Sequence, residues 1–139
     1  MYRTCLEKQE AIKALFSNCS TEEERYLKII EIGRESIPLD PKYKVPENIV
    51  QGCQSTLYLR SHITDGVVMF HAESDALISS GLAALLIHVY NGETPETIIK
   101  CPPDFLEELN ISASLTPNRA NGLYSLHLRM KQDALKFLL

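Results

Sequence analysis

Residues 76–90, reading ALISSGLAALLIHVY, are apolar on nearly every side of a helical wheel. A surface helix needs only one apolar stripe, so a helix of this kind has to be enclosed by other elements. It is shorter than the roughly 20 residues that a bilayer-spanning helix requires, and no other run is longer and equally apolar. Ser74 is placed to cap its start, Asp75 to complement the positive end of its dipole, and Asn91-Gly92 to stop it. The chain is therefore predicted to fold around one central buried helix.

The enclosing elements can be read from periodicity. Residues 6–18 place Ile12, Leu15 and Phe16 on one helical stripe, with Cys5 and Cys19 flanking it. Ser20 and Thr21, each followed three residues on by a glutamate, offer a capping-box start for a second helix. That helix should run to about Glu35 and bury Leu27, Ile30 and Tyr26. Pro38, Pro41 and Pro46 hold residues 37–48 as an extended loop. Leu57 and Leu59 then alternate with Thr56, Tyr58 and Arg60, and residues 67–72 read as a second strand across Thr64-Asp65-Gly66. Ile49 and Val50 could add a short third strand.

After the central helix come a short helix opened by Thr94-Pro95 and another from Pro103-Asp104 through Leu109. A long terminal helix, opened near Asn118, carries Leu123, Leu126, Met130, Ala134 and Phe137 on one stripe. The order is helices, a small antiparallel sheet, then helices, without repeated βαβ units. It predicts an α+β fold, a compact single domain over residues 1–139, with no internal repeat or linker.

A net charge of −4 argues against a dedicated nucleic-acid surface, which would show a basic face. Glu7, Lys8, Glu10 and Lys13 interrupt any signal-peptide core, and a cytoplasmic location without membrane attachment is expected. The cysteines at 5, 19, 53 and 101 lack the spacing of a zinc site, so no metal is expected, and in a reducing compartment they should be thiols. His88 is expected inside the central helix, and His62 and His71 on the exposed sheet.

Chemistry points to one of these thiols. In residues 45–59 a proline-broken loop gives way to the alternating run, so Cys53 should stand where loop enters strand, held by the sheet and reachable from outside. Gly52 beside it permits positive φ or close approach of another backbone. Gln54 and Ser55 could turn their amides into a nest that favours the thiolate. The plain alternative is a buried packing cysteine, a common use of a free thiol. Cys5 and Cys19 read as incidental, and Cys101, before Pro102-Pro103, as half exposed.

Gly52-Cys53-Gln54-Ser55 in this setting resembles the signature of the SufE family, with its sibling CsdE. The same order continues with Glu73-Ser74-Asp75-Ala76, Gly81-Leu82, Thr94-Pro95 and the stretch from Leu115-Thr116-Pro117-Asn118-Arg119 to Gly122-Leu123. Tyr58 stands where many relatives have tryptophan. The resemblance implies a compact α+β fold shared with NifU-like scaffolds. It also implies a sulfur acceptor that activates a cysteine desulfurase of the SufS or CsdA kind. Cys53 would take sulfane sulfur as a persulfide and pass it to an iron-sulfur assembly scaffold. Gly52, Gln54, Ser55, Asp75 and Arg119 would support the site, and no cofactor is implied. Two other classes remain open: an iron-sulfur scaffold module, which wants several thiolates, and a cysteine hydrolase or thiol redox protein, which wants a nearby base. A carrier must also shield its thiol from peroxide, so Ile49, Val50, Leu57 and Leu59 are expected to cover Cys53, on a loop bracketed by Pro46 and Gly52 that can swing outward.

Overall fold

The computed structural model describes residues 2–139. Its centre is helix α3 (Leu77–Tyr90), in which Leu82, Ala83, Leu85, Leu86, Val89 and Tyr90 are all buried. Around it lie α1 (Arg3–Leu15), α2 (Glu22–Arg34), the hairpin β1 (Leu57–Thr64) and β2 (Val67–Ser74), α4 (Pro95–Lys100), α5 (Phe105–Glu108), α6 (Ile111–Ser114) and α7 (Pro117–Lys136). The fold is α+β, and one contiguous core runs through α3, the inner face of the hairpin and the inner stripe of α7. No helix among the described residues is long and apolar enough to cross a membrane.

The hairpin pairs Leu57 with Ser74 through Thr64 with Val67, in register, around a two-residue turn. Asp65 and Gly66 take φ of 49° and 81°, the mirror-image turn that matches strand twist and favours Asp-Gly. Leu57, Leu59, Val68 and Phe70 point inward, as the period of two demands. Ile49 makes only an isolated bridge to Tyr58, so the expected third strand is one backbone contact.

Helix α2 crosses α3 where neither has a side chain. A Cβ on Gly33 would sit 2.6 Å from the Gly81 nitrogen, and one on Gly81 would sit 2.6 Å from Ile29 Cγ2. This backbone approach turns Ile29 and Ile32 into the core and leaves Leu27 57% exposed, against expectation, while Tyr26 and Ile30 are half-buried. Thr21 caps α2 by accepting from the Glu24 N–H at 3.1 Å.

Several boundaries differ from the sequence reading. Helix α1 begins at Arg3, so Cys5 lies inside it and is buried, and Leu15 faces solvent. Helix α3 starts at Leu77: Ser74 ends β2 and accepts the Ala76 N–H at 3.2 Å, and Asp75 stands outside the helix, whose first turn holds no acid. His88 is exposed rather than buried. Cys101 is fully buried, because Tyr90 donates its hydroxyl to the Cys101 carbonyl at 2.6 Å and draws that end of α4 into the core.

Candidate functional site

Cys53 lies in an arch formed by residues 51–56. Its base is closed by the Val50 N–H bonding to the Leu57 carbonyl at 2.9 Å. The loop before it is folded into two single 3-10 turns, Pro41–Tyr43 and Pro46–Asn48, each led by a proline. Gly52 takes φ of +91°, which explains the glycine, and its Cα faces α7 so closely that a Cβ would come 3.2 Å from Ser125 Cβ. At the far end, Ser55 and Ser79 share a 2.9 Å hydroxyl hydrogen bond, and Asp75 N–H reaches the Thr56 carbonyl at 3.4 Å. The arch is thus held between α7 and the start of α3.

The Cys53 thiol is half-buried and donates to the Gly122 carbonyl on α7 at 3.6 Å. Burial pushes its pKa above the ordinary thiol value, so at rest it is a protonated thiol. The expected nest of Gln54 and Ser55 amides is not what the sulfur meets. Nor do Ile49, Val50 and Leu59 cover it: Val50 and Leu59 are buried in the core, and of that group only Leu57 reaches the pocket. The cover comes from α7 and α3, because Gly122 presents no side chain and lets the thiol settle against the helix, where a Cβ would lie 3.5 Å from Sγ.

A pocket of about 170 Å³ opens beside the sulfur. Gln54 and Ser55 form one wall, Ala76 with Ile78, Ser79 and Leu82 of α3 another, and Asn118, Arg119, Gly122 and Leu123 of α7 a third. Arg119 is the one charged residue of this lining. Its guanidinium lies 5.3 Å from the centre of the Tyr26 ring on α2, a cation–π contact, and its N–H is capped by Thr116 at 3.4 Å. Asp75 is exposed and does not line the pocket, so the structure brings together Cys53, Gln54, Ser55 and Arg119, sets Gly52 against Ser125 of α7 beside them, and leaves Asp75 outside.

No histidine lines the pocket. His62 and His71 stack at 5.5 Å on the hairpin, and His127 stacks on Tyr90 at 5.6 Å, its pKa lowered to about 4 by burial and, less, by Lys131. Cys5 and Cys101 are buried together elsewhere, both within reach of the Gln9 amide at 3.9 and 3.6 Å. Burial and the neighbouring Cys101 push the Cys5 thiol to about 12, which makes it inert. Among the described residues no three His, Cys, Asp or Glu side chains are grouped to hold a metal.

Gly122, Ser79 and Asn118 line the pocket without any local sequence pattern that marks them individually as site residues. The usable signal was Gly122 itself, a glycine inside a strongly periodic helix, where it costs about 1 kcal/mol unless something needs the space.

Residues 10–134 match the model of the SufE family, described as an Fe-S metabolism associated domain. The chain is 39% identical over 124 residues to an uncharacterized SufE-like protein of Synechocystis, covering 89% of this chain and 78% of that protein. It also resembles the solution structure of a hypothetical protein from Thermus thermophilus. There the TM-score is 0.76 at 25% identity, covering 94% of this chain and 95% of the other.

Proposed function

We propose, from the premise that the chain belongs to the SufE family, that Cys53 accepts sulfane sulfur from the persulfide of a cysteine desulfurase and delivers it to an iron-sulfur assembly scaffold. The coarser role, in Fe-S metabolism, follows from the family itself. The observation that carries the finer one is a nucleophile without a base: Cys53 faces a pocket whose lining contains no histidine and no carboxylate. A hydrolase of Cys/His type needs a base beside its thiol, whereas a persulfide donor arrives already activated.

In the transfer, the Cys53 sulfur attacks the outer sulfur of the donor persulfide. A new S–S bond forms to Cys53, the donor's S–S bond breaks, and its electron pair leaves on the desulfurase thiolate. The proton lost by Cys53 balances the one that thiolate regains, so a thiol and a persulfide exchange places with no net oxidation. The pocket, about 170 Å³, exceeds the roughly 10–15 Å³ of such space that admits one water-sized group, so a terminal sulfur fits. No resident cofactor takes part, and the reading places the chain in the cytoplasm beside its desulfurase. The scaffold alternative draws no support from the thiols, since Cys5 and Cys101 lie in the core away from Cys53.

The test is desulfurase turnover. Taking sulfur away frees the desulfurase nucleophile, so adding the chain should raise cysteine turnover severalfold, and Cys53→Ser should abolish the gain while keeping the fold. Equal stimulation by Cys53→Ser would refute the assignment.

A further inference from the structure

Helix α7 meets the cysteine loop at three heights along one stripe. Gly122 receives the Cys53 thiol, Ser125 packs on Gly52, and one turn further on Arg129 reaches the loop's stem. The spacing i, i+3, i+7 puts all three on one face of the helix. The upper two contacts are weak, a 3.6 Å thiol hydrogen bond and a van der Waals contact. The third is not. Arg129 donates from Nη2 to the Glu47 carbonyl at 2.6 Å and from Nη1 to the Ile49 carbonyl at 3.1 Å. Its remaining edge is fixed, because Nε donates to Asp133 Oδ1 at 3.1 Å, and Asp133 Oδ2 accepts from Ser61 of β1 at 2.6 Å.

The arginine side chain is 20% exposed and the aspartate 11%, so the charge-assisted bonds to Asp133 and to the Ile49 carbonyl are partly shielded, while the bond to the Glu47 carbonyl lies at the surface. The guanidinium fork spans two carbonyls and a carboxylate at once, which a lysine's single ammonium does not. The stem is therefore tied to α7 and, through Asp133 and Ser61, to β1, while the tip is held by neutral contacts only, the Cys53 thiol on Gly122 and the Ser55–Ser79 hydroxyl pair.

Resting on the sulfur-acceptor reading of Cys53, we propose that Arg129, oriented by Asp133 and Ser61, is a positioning residue that sets the covered resting state of Cys53 by anchoring the stem of its loop. With the stem fixed, the tip returns each time to the Gly122 ledge. With it released, the loop samples lifted states in which the thiol is exposed.

Iodoacetamide labelling of the full-length protein, followed by peptide mass spectrometry, tests this without any sulfur donor. In Arg129→Gln the Cys53 alkylation rate should rise about tenfold, equivalent to about 1.4 kcal/mol, at the low end for hydrogen bonds to a charged group. Cys19 should label at the wild-type rate, and buried Cys5 and Cys101 should stay protected, which separates a loosened loop from a loosened protein. Arg129→Lys should label nearly as fast as Arg129→Gln, and it carries the test alone if Arg129→Gln does not fold. An unchanged Cys53 rate in a folded variant, or a rise shared by Cys5 and Cys101, overturns the proposal. Failure of Cys53 to accept sulfur would instead overturn the function, leaving these labelling rates as they are.

Discussion

Replacing Gly122 by alanine should separate stability from sulfur acceptance. Gly122 lies in the interior of α7, where glycine costs about 1 kcal/mol relative to alanine, and it is not among the residues with positive φ, so alanine fits the backbone. The nearest heavy atom to the added Cβ is Cys53 Sγ at 3.5 Å, an ordinary contact that demands no shift. The balance is a gain of about 0.5–1 kcal/mol, or a rise in Tm of about 2–5 °C for a chain of this size. The same methyl sits against the sulfur, where a persulfide must form. Sulfur uptake by Gly122→Ala should slow severalfold, and Gly122→Leu should abolish it by filling the pocket. Urea denaturation gives the first quantity, and the rate of persulfide formation with a desulfurase and cysteine gives the second. A destabilised Gly122→Ala, or a folded Gly122→Leu that accepts sulfur at the wild-type rate, would show that Gly122 is not kept as the ledge for the Cys53 sulfur.

Gly81→Ala should cost at least 3 kcal/mol or prevent folding, since its Cβ would run into the α2 backbone at Ile29 and no side-chain rotation relieves that; chemical denaturation checks it. Cys5→Ala and Cys101→Ala should each cost about 1–2 kcal/mol through lost core volume yet leave sulfur acceptance intact, whereas exposed Asp75→Asn should change stability by less than about 0.5 kcal/mol. His127 has a folded pKa near 4, below its unfolded value near 6.5, so the folded chain binds fewer protons between them. The stability this confers is full above pH 6.5 and is lost as pH falls through 4. Denaturation across that window should show about 2–3 kcal/mol of acid destabilisation that His127→Phe, keeping the stack on Tyr90, removes.

The central helix and the hairpin were legible because their signals are local: all-round apolarity for α3, and alternation around Asp65-Gly66 for β1 and β2. The face of α2 was not. Leu27 and Ile29 are equally apolar, and the choice between them is made by Gly33 approaching Gly81, a contact between residues far apart in the chain. The burial of Cys101 likewise depends on the Tyr90 hydroxyl, and the short helix α6 went unread because a single turn has no periodicity. At the site, Cys53 and Gly52 were visible from the loop-to-strand change and the family motif. What covers Cys53 was not, because the cover is Gly122, a residue notable for what it lacks, on a helix whose exposed and buried stripes say nothing of the loop it meets. Asp75 was assigned to a helix start that lies two residues later.

The central claim is that Cys53 holds the sulfur. It is tested most directly by incubating the protein with a desulfurase and cysteine, and mapping the added mass by peptide mass spectrometry without reductant. The account predicts one sulfur, about 32 Da, on the Cys53 peptide and none on those of Cys5, Cys19 or Cys101. Added sulfur on another cysteine with Cys53 unmodified would contradict it.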